Sequence, residues 1–138
     1  MSELERLSFS IEKPLMTKLE KLVRAARYTN RSEFIRDLIR SKLVEQEWET
    51  DKEALGTVTL LYDHHVRGLS DRLTHLQHDY HSNILATTHV HLDHELCAEV
   101  IMVRGKANLI RQLATAMGRE KGVLHAALSL STTGKQLT

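Results

Sequence analysis

Residues 6–11 read RLSFSI, polar at 6, 8 and 10 and apolar at 7, 9 and 11. Strict alternation predicts a half-buried strand, because successive strand side chains point to opposite faces. Pro14 then suits the first turn of a helix, where its missing N–H would have no partner. Leu15, Leu19, Leu22 and Ala26 follow on one helical stripe. Tyr28 to Arg31 interrupts that stripe, and a second helix starts with Asn30 as N-cap and Glu33 at the capping-box position. Phe34, Ile35, Leu38, Ile39 and Leu43 form its apolar face. A strand and two helices in about 45 residues are too few to bury a core alone. The strand also has no neighbour to pair with in its own segment. Two intertwined chains remove both defects, pairing their strands as an antiparallel ribbon over four packed helices. Such a ribbon fits the DNA major groove and would present Arg6, Ser8 and Ser10 from each chain to base edges. A solvated edge strand is the alternative.

The rest of the composition is compatible with this reading. The chain has 138 residues, 41% hydrophobic and 27% charged, which is globular rather than disordered. No apolar run approaches the roughly 20 residues of a membrane helix, and the first residues lack the apolar core of a secretory signal. A single cysteine excludes an intrachain disulfide and fits a reducing cytoplasm. Net charge is +1, but residues 1–44 carry +4 and residues 45–138 carry −3. All nine histidines lie between His64 and His125. A basic front and a histidine-rich back predict two modules: residues 1–48, a linker at 49–55 around acidic, polar sequence, and residues 56–138.

In the back module Thr57–Tyr62 is β-prone, Arg67–His81 helical, Ile84–Leu92 and Leu96–Val103 strand-like, Ala107–Met117 helical and Val123–Leu130 a last strand. The order βαββαβ is the ferredoxin-like arrangement, also used by ligand-sensing ACT domains, so the fold class is α+β. There is no glycine-rich phosphate loop and no Ser-His-Asp pattern, which argues against an enzyme.

Residues 89–97 read HVHLDHELC. On a strand, His89 and His91 share a face and form a two-tooth clamp, with Val90 and Leu92 expected toward the core. If Asp93-His94-Glu95 turns the chain, Cys97 returns to the same site on the adjacent strand. Imidazoles with one thiolate favour nickel, copper, zinc or cobalt over magnesium or calcium. A fourth ligand could come from His75, His78, His81, His94 or His125. On a helix whose buried stripe contains Leu69, Leu73, Leu76 and Tyr80, His78 lies about 140° from Leu73. It therefore faces away from its own sheet, and is either a surface histidine or a reach toward another subunit.

Two motifs carry a resemblance. RLSFSI, a helix and then TNRSEFIRDLIRSKL are similar to the ribbon-helix-helix family of bacterial transcription regulators, with Arg27 standing where many relatives have glycine. QHDYHSNILATTHVHLDHELC resembles the metal-site signature of the nickel-responsive regulator (NikR) family, in which such a domain precedes an ACT-like one. The resemblance covers nearly the whole chain. It implies a square-planar Ni(II) site of His89, His91 and Cys97 with His78 from a neighbouring subunit. It also implies a homotetramer, a dimer of dimers, repressing a nickel-uptake gene from an inverted-repeat operator in double-stranded DNA. Asn30, Arg31 and Ser32 would hold a DNA phosphate at the second helix's N-terminus, and Arg67 is a candidate for a further contact with the DNA backbone. Glu99 and Tyr62 would form hydrogen bonds near the metal, and Glu33 with Asp37 would hold a second, weaker cation. His64, His65, His75, His81, His94 and His125 are left as surface or structural residues. The alternatives are a ribbon-helix-helix regulator sensing another transition metal or a small molecule such as an amino acid, and a metalloenzyme. Four protein ligands leave the last no open coordination position.

Overall fold

A computed structural model describes residues 3–138. The described residues divide into two compact units that part between Leu43 and Val44, with residues 136–138 joining the first.

The first unit contains helix α1 (Lys13–Ala25) and most of helix α2 (Arg31–Glu49). Pro14 lies in the first turn of α1, as its fixed φ favours. The helix ends in a Schellman arrangement: Tyr28 N–H donates to the Val23 carbonyl and Arg27 N–H to the Arg24 carbonyl. Arg27 takes the left-handed conformation this requires, φ +59°, at the place where a glycine would be unstrained. Asn30 caps α2, its Oδ1 accepting the Glu33 N–H at 2.9 Å. The Glu33 carboxylate pairs with Arg36 instead of reaching back to Asn30, so only half of the expected capping box forms.

Residues 3–12 hold no regular element, contrary to the strand expected at 6–11. A strand needs a hydrogen-bonded neighbour, and within one chain RLSFSI has none. Leu7 and Phe9 accordingly stand 81% and 59% exposed, and Leu15 and Leu22 of α1 are exposed as well.

The second unit is a four-stranded antiparallel sheet of β1 (Glu53–Asp63), β2 (Ile84–His91), β3 (Leu96–Lys106) and β4 (Val123–Ser131), in the order β2-β3-β1-β4. Helices α3 (Leu69–Asp79) and α4 (Ala107–Gly118) complete βαββαβ, in the element order expected. The core lies between helices and sheet. Val58, Leu60 and Tyr62 from β1 and Cys97, Ile101 and Val103 from β3 meet Leu69 and Leu73 of α3 and Ile110, Leu113 and Met117 of α4. The alternate side chains point to the other face, where Val100 and Met102 remain partly exposed.

The stretch read as a linker is mostly structured. Helix α2 runs to Glu49, β1 begins at Glu53, and only residues 50–52 lie between. Trp48 is buried, donates through Nε1 to the Ser131 carbonyl at 2.8 Å and lies beneath the Arg111 guanidinium. Composition around it is polar, but one large apolar side chain suffices to dock the helix end. Asp51, with φ +54°, accepts the Asn108 N–H through Oδ1 and so caps α4 from outside that helix.

Gly56 marks a close approach of helix and sheet. A Cβ there would sit 2.8 Å from Ile110 Cγ2 and 3.2 Å from Trp48. Gly56→Ala should therefore destabilise the chain by about 1–3 kcal/mol through overpacking, read as a lower urea midpoint. Thr57→Ala, one residue along on the open face, is the control expected to show a smaller loss.

Candidate functional site

The β2–β3 hairpin turns where the sequence predicts. Asp93 Oδ1 accepts the N–H groups of both Glu95 and Leu96 at 2.8 Å, and these bonds hold its carboxyl below the usual range. The resulting register sets His91 opposite Cys97 and His89 opposite Glu99. On the other side of β3, Tyr62 lies opposite Cys97 and Leu60 opposite Glu99. Directly paired residues share a face, so Tyr62, Cys97 and His91 form one row across three strands.

That row lies on the helix-covered face, which corrects one expectation. Val90 and Leu92 do not face the core: they are 49% and 57% exposed. β2 is an edge strand, and past an irregularity between Ile84 and Ala86 its residues Thr87, His89 and His91 share the face of Ile101, Glu99 and Cys97 that packs under the helices. The alternation was legible, but which face the helices would cover was not.

Cys97 Sγ lies 3.2 Å from His91 Nδ1. Cys97 is fully buried, and His91 is exposed at the sheet edge. The His89 ring centroid is 5.2 Å from that of His91 and 6.0 Å from that of Tyr62. One thiol and two imidazoles therefore line the same edge, with a dry floor beneath and access from outside. This donor set fits a borderline transition metal. His78 lies on the exposed side of α3, its ring stacked on that of His81 at 5.6 Å.

His64, read from sequence as a surface residue, belongs to this neighbourhood. Its ring is 5.2 Å from that of His91, and ligand atoms of His64, His91 and Cys97 lie within 4.8 Å of one another. His64 and His65 both contact the His94 carbonyl. The signal available was parity, since residue 64 continues the Tyr62 side of β1 one step past the strand.

Glu99 is buried at 8% exposure and accepts a hydrogen bond from Gln77 Nε2 at 3.2 Å. Tyr62 is a core residue whose hydroxyl is pushed up to about 12 by burial, with Glu99 and Cys97 adding to the effect. Burial likewise pushes the Cys97 thiol above its ordinary value, helped by the negative charges of Asp63, Asp93 and Glu99.

In the first unit Arg6, Ser8 and Ser10 are exposed along the extended N-terminal segment, and Arg31 and Ser32 are exposed in the first turn of α2. Arg67 is exposed just ahead of α3. Glu33 and Asp37 are each engaged by an arginine, Arg36 and Arg40 respectively, and Asp37 also accepts the Tyr28 hydroxyl.

A raised thiol pKa keeps Cys97 protonated at neutral pH. In metal-free protein, thiolate ultraviolet absorbance should therefore grow in with a midpoint above that of an ordinary cysteine. Glu99→Gln removes one of the nearby negative charges and should lower that midpoint; an unchanged or higher midpoint would contradict the assigned cause.

Comparison with known proteins agrees with both units. Residues 5–46 match the family model described as ribbon-helix-helix protein, copG family, and residues 55–131 match that of the NikR C terminal nickel binding domain. Over 138 residues the chain is 49% identical to proteins named "Putative nickel-responsive regulator" from Solibacter usitatus and from Geobacter sulfurreducens, covering 99% of this chain and of each relative. A solved structure of an uncharacterized protein from Thermotoga maritima shares the fold of part of the chain, with a TM-score of 0.52 at 14% identity over 57% of this chain and 98% of that one. The matched domains cover both units and the relatives align from end to end, so the chain belongs to the nickel-responsive regulator family, transcription factors rather than enzymes.

Proposed function

We propose that this chain is a nickel-responsive repressor in which residues 1–48 bind operator DNA, residues 49–55 connect, and residues 56–138 sense the metal and assemble a homotetramer. The observation that carries the metal assignment is the 3.2 Å approach of Cys97 Sγ to His91 Nδ1, with His89 on the same strand face. On this reading His89, His91 and Cys97 supply three ligands and His78 of a neighbouring subunit the fourth. The outward direction of His78 supports that assignment, and the partly exposed apolar side chains Val90, Val100 and Met102 on the open sheet face offer surface for assembly. His64 is the alternative imidazole if the site closes within one chain.

His89, His91, Cys97 and a neighbour's His78 would hold a nickel ion, which would serve as a Lewis acid toward their imidazole and thiolate lone pairs. The chain supplies a buried sulfur, histidines at the sheet edge, and Glu99 and Tyr62 beside them. Cys97 must lose its proton to bind, so apparent affinity rises with pH across the neutral range. DNA affinity responds only if the DNA-competent arrangement holds the four ligands better than the incompetent one.

In the DNA-binding half, the exposed alternation at residues 6–11 is completed by pairing with a second chain. The ribbon then directs Arg6, Ser8 and Ser10 to base edges, while Asn30, Arg31 and Ser32 hold a backbone phosphate at the N-terminus of α2. Arg67 adds a phosphate contact. Two such dimers per tetramer require an operator with two inverted half-sites, and operator binding places the work in the cytoplasm. Among the described residues, no helix is long and apolar enough to cross a membrane. A second cation belongs, on this reading, beside Glu33 and Asp37, where it competes with Arg36 and Arg40 and is correspondingly weak.

Nickel titration followed by absorbance tests the metal site. Cys97→Ala should lose the thiolate-to-metal band; an identical spectrum would remove Cys97 from the ligand set. Neither His78→Ala nor Cys97→Ala alone should give the wild-type spectrum, but co-refolding the two should restore about a quarter of the sites if His78 is donated between subunits. No recovery would place the fourth ligand within one chain.

Operator-shift assays with nickel, zinc and copper test the sensing. Nickel should promote operator binding most, and metal-independent binding would refute a sensor. Arg6→Ala should cost about 1–3 kcal/mol on the operator and far less on random DNA; equal losses would reduce Arg6 to a phosphate contact.

A further inference from the structure

Helix α3 is held differently at its two ends. Its first half is fixed by buried Leu69 and Leu73 and by Arg72, whose guanidinium donates to the Glu120 carboxylate and to the Lys121 and Arg67 carbonyls. Its second half carries His75 and His78, and His81 follows in the turn just past its end, all three exposed. Between those histidines, Gln77 turns inward. Its Nε2 donates to Glu99 Oε1 at 3.2 Å, and its Oε1 accepts the Thr87 hydroxyl at 3.3 Å.

One amide thus spans three elements, and each carries a proposed metal ligand close by. On α3 it is His78, the next residue. On β2, Thr87 is two residues from His89 on the same face, and on β3, Glu99 is two residues from Cys97. The Glu99 carboxylate fixes the orientation of the amide: flipped, its oxygen would face the carboxylate, whereas the Thr87 hydroxyl can donate to the amide oxygen as it stands. A hydrogen bond to a largely buried carboxylate is also stronger than one between neutral groups. The rotation of α3 about its axis, and with it the direction of His78, is consequently tied to the position of the two strands.

We propose that Gln77 is a positioning residue whose Glu99–Gln77–Thr87 bridge fixes the His78-bearing half of α3 against the Cys97 and His89 strands, so that metal binding and helix order are coupled through it. This rests on the metal-site reading above. Removing the bridge leaves the ligands themselves intact but lets the helix that offers His78 to a neighbouring subunit's site turn independently of the strands that hold this chain's own His89, His91 and Cys97.

The test uses full-length Gln77→Leu, Gln77→Glu and the exchange variant Gln77→Glu/Glu99→Gln, which restores one donor and one acceptor with their roles reversed. Amide hydrogen exchange of metal-free protein should quicken over residues 74–79 in both single variants, more in Gln77→Glu, where two carboxylates oppose. Nickel affinity should fall by about ten- to a hundredfold, the range for partners that orient metal ligands. The exchange variant should recover both properties relative to Gln77→Glu, which loss of packing alone would not predict. Unchanged α3 exchange, wild-type nickel affinity in Gln77→Leu, or no recovery in the exchange variant each overturns the proposal. If wild-type protein shows no nickel band, the metal-site reading fails instead, and the hydrogen-exchange comparison alone decides whether Gln77 holds α3 to the strands.

Discussion

Strand β3 imposes the constraint on which the second unit depends. It is a central strand, and its side chains alternate between a face covered by α3 and α4 and an open one. Cys97, Glu99, Ile101 and Val103 fall on the covered face. The same parity that packs Ile101 and Val103 into the core puts a thiol and a carboxylate into a dry layer near the sheet's edge. The pairing register then brings His91 to Cys97 and His89 to Glu99. A one-residue slip would send all of these side chains to the opposite face. The Asp93 turn therefore helps to hold His91 beside Cys97, although its own side chain binds only backbone.

Burial of the sulfur has consequences for both states of the protein. A dry thiol flanked by carboxylates resists ionisation, so a metal-free chain keeps Cys97 as a small apolar core residue. Placing His91 and His89 at the exposed edge keeps the entrance open. On the proposed assignment, core packing and metal binding make compatible demands on Cys97, while the partly exposed apolar side chains of the open sheet face are left for other surfaces.

The two units differ in how completely one chain satisfies them. The second encloses a core of its own, with Trp48, α3 and α4 against the sheet. In the first, Val23 alone among the α1 residues is buried, and Leu7, Phe9, Leu15 and Leu22 are exposed. A chain segment this short cannot bury those side chains internally, which is the physical reason for expecting a second copy. Its helix ends, by contrast, are locally determined: Asn30 caps α2, and Arg27 accepts a left-handed backbone to close α1.

Much was already determined by local sequence. The periods of the apolar residues specify βαββαβ, the Asn30 cap and the Asp93 turn follow from short-range hydrogen bonding, and HVHLDHELC puts two histidines on one strand face. Long-range packing decided the rest. Which side of β2 shares the helix-covered face, and hence that Val90 and Leu92 stay exposed, depends on where the crossover helices settle. Trp48 is buried because a distant strand end and Arg111 close over it, not because of its polar neighbours. His64 reaches His91 only because β1 and the hairpin end side by side, and Gln77 meets Glu99 and Thr87 only once α3 lies on the sheet. Side-chain alternation acts within a strand and can be read along the chain; the choice of face and the meeting of separate elements depend on the total area buried, which no local segment specifies.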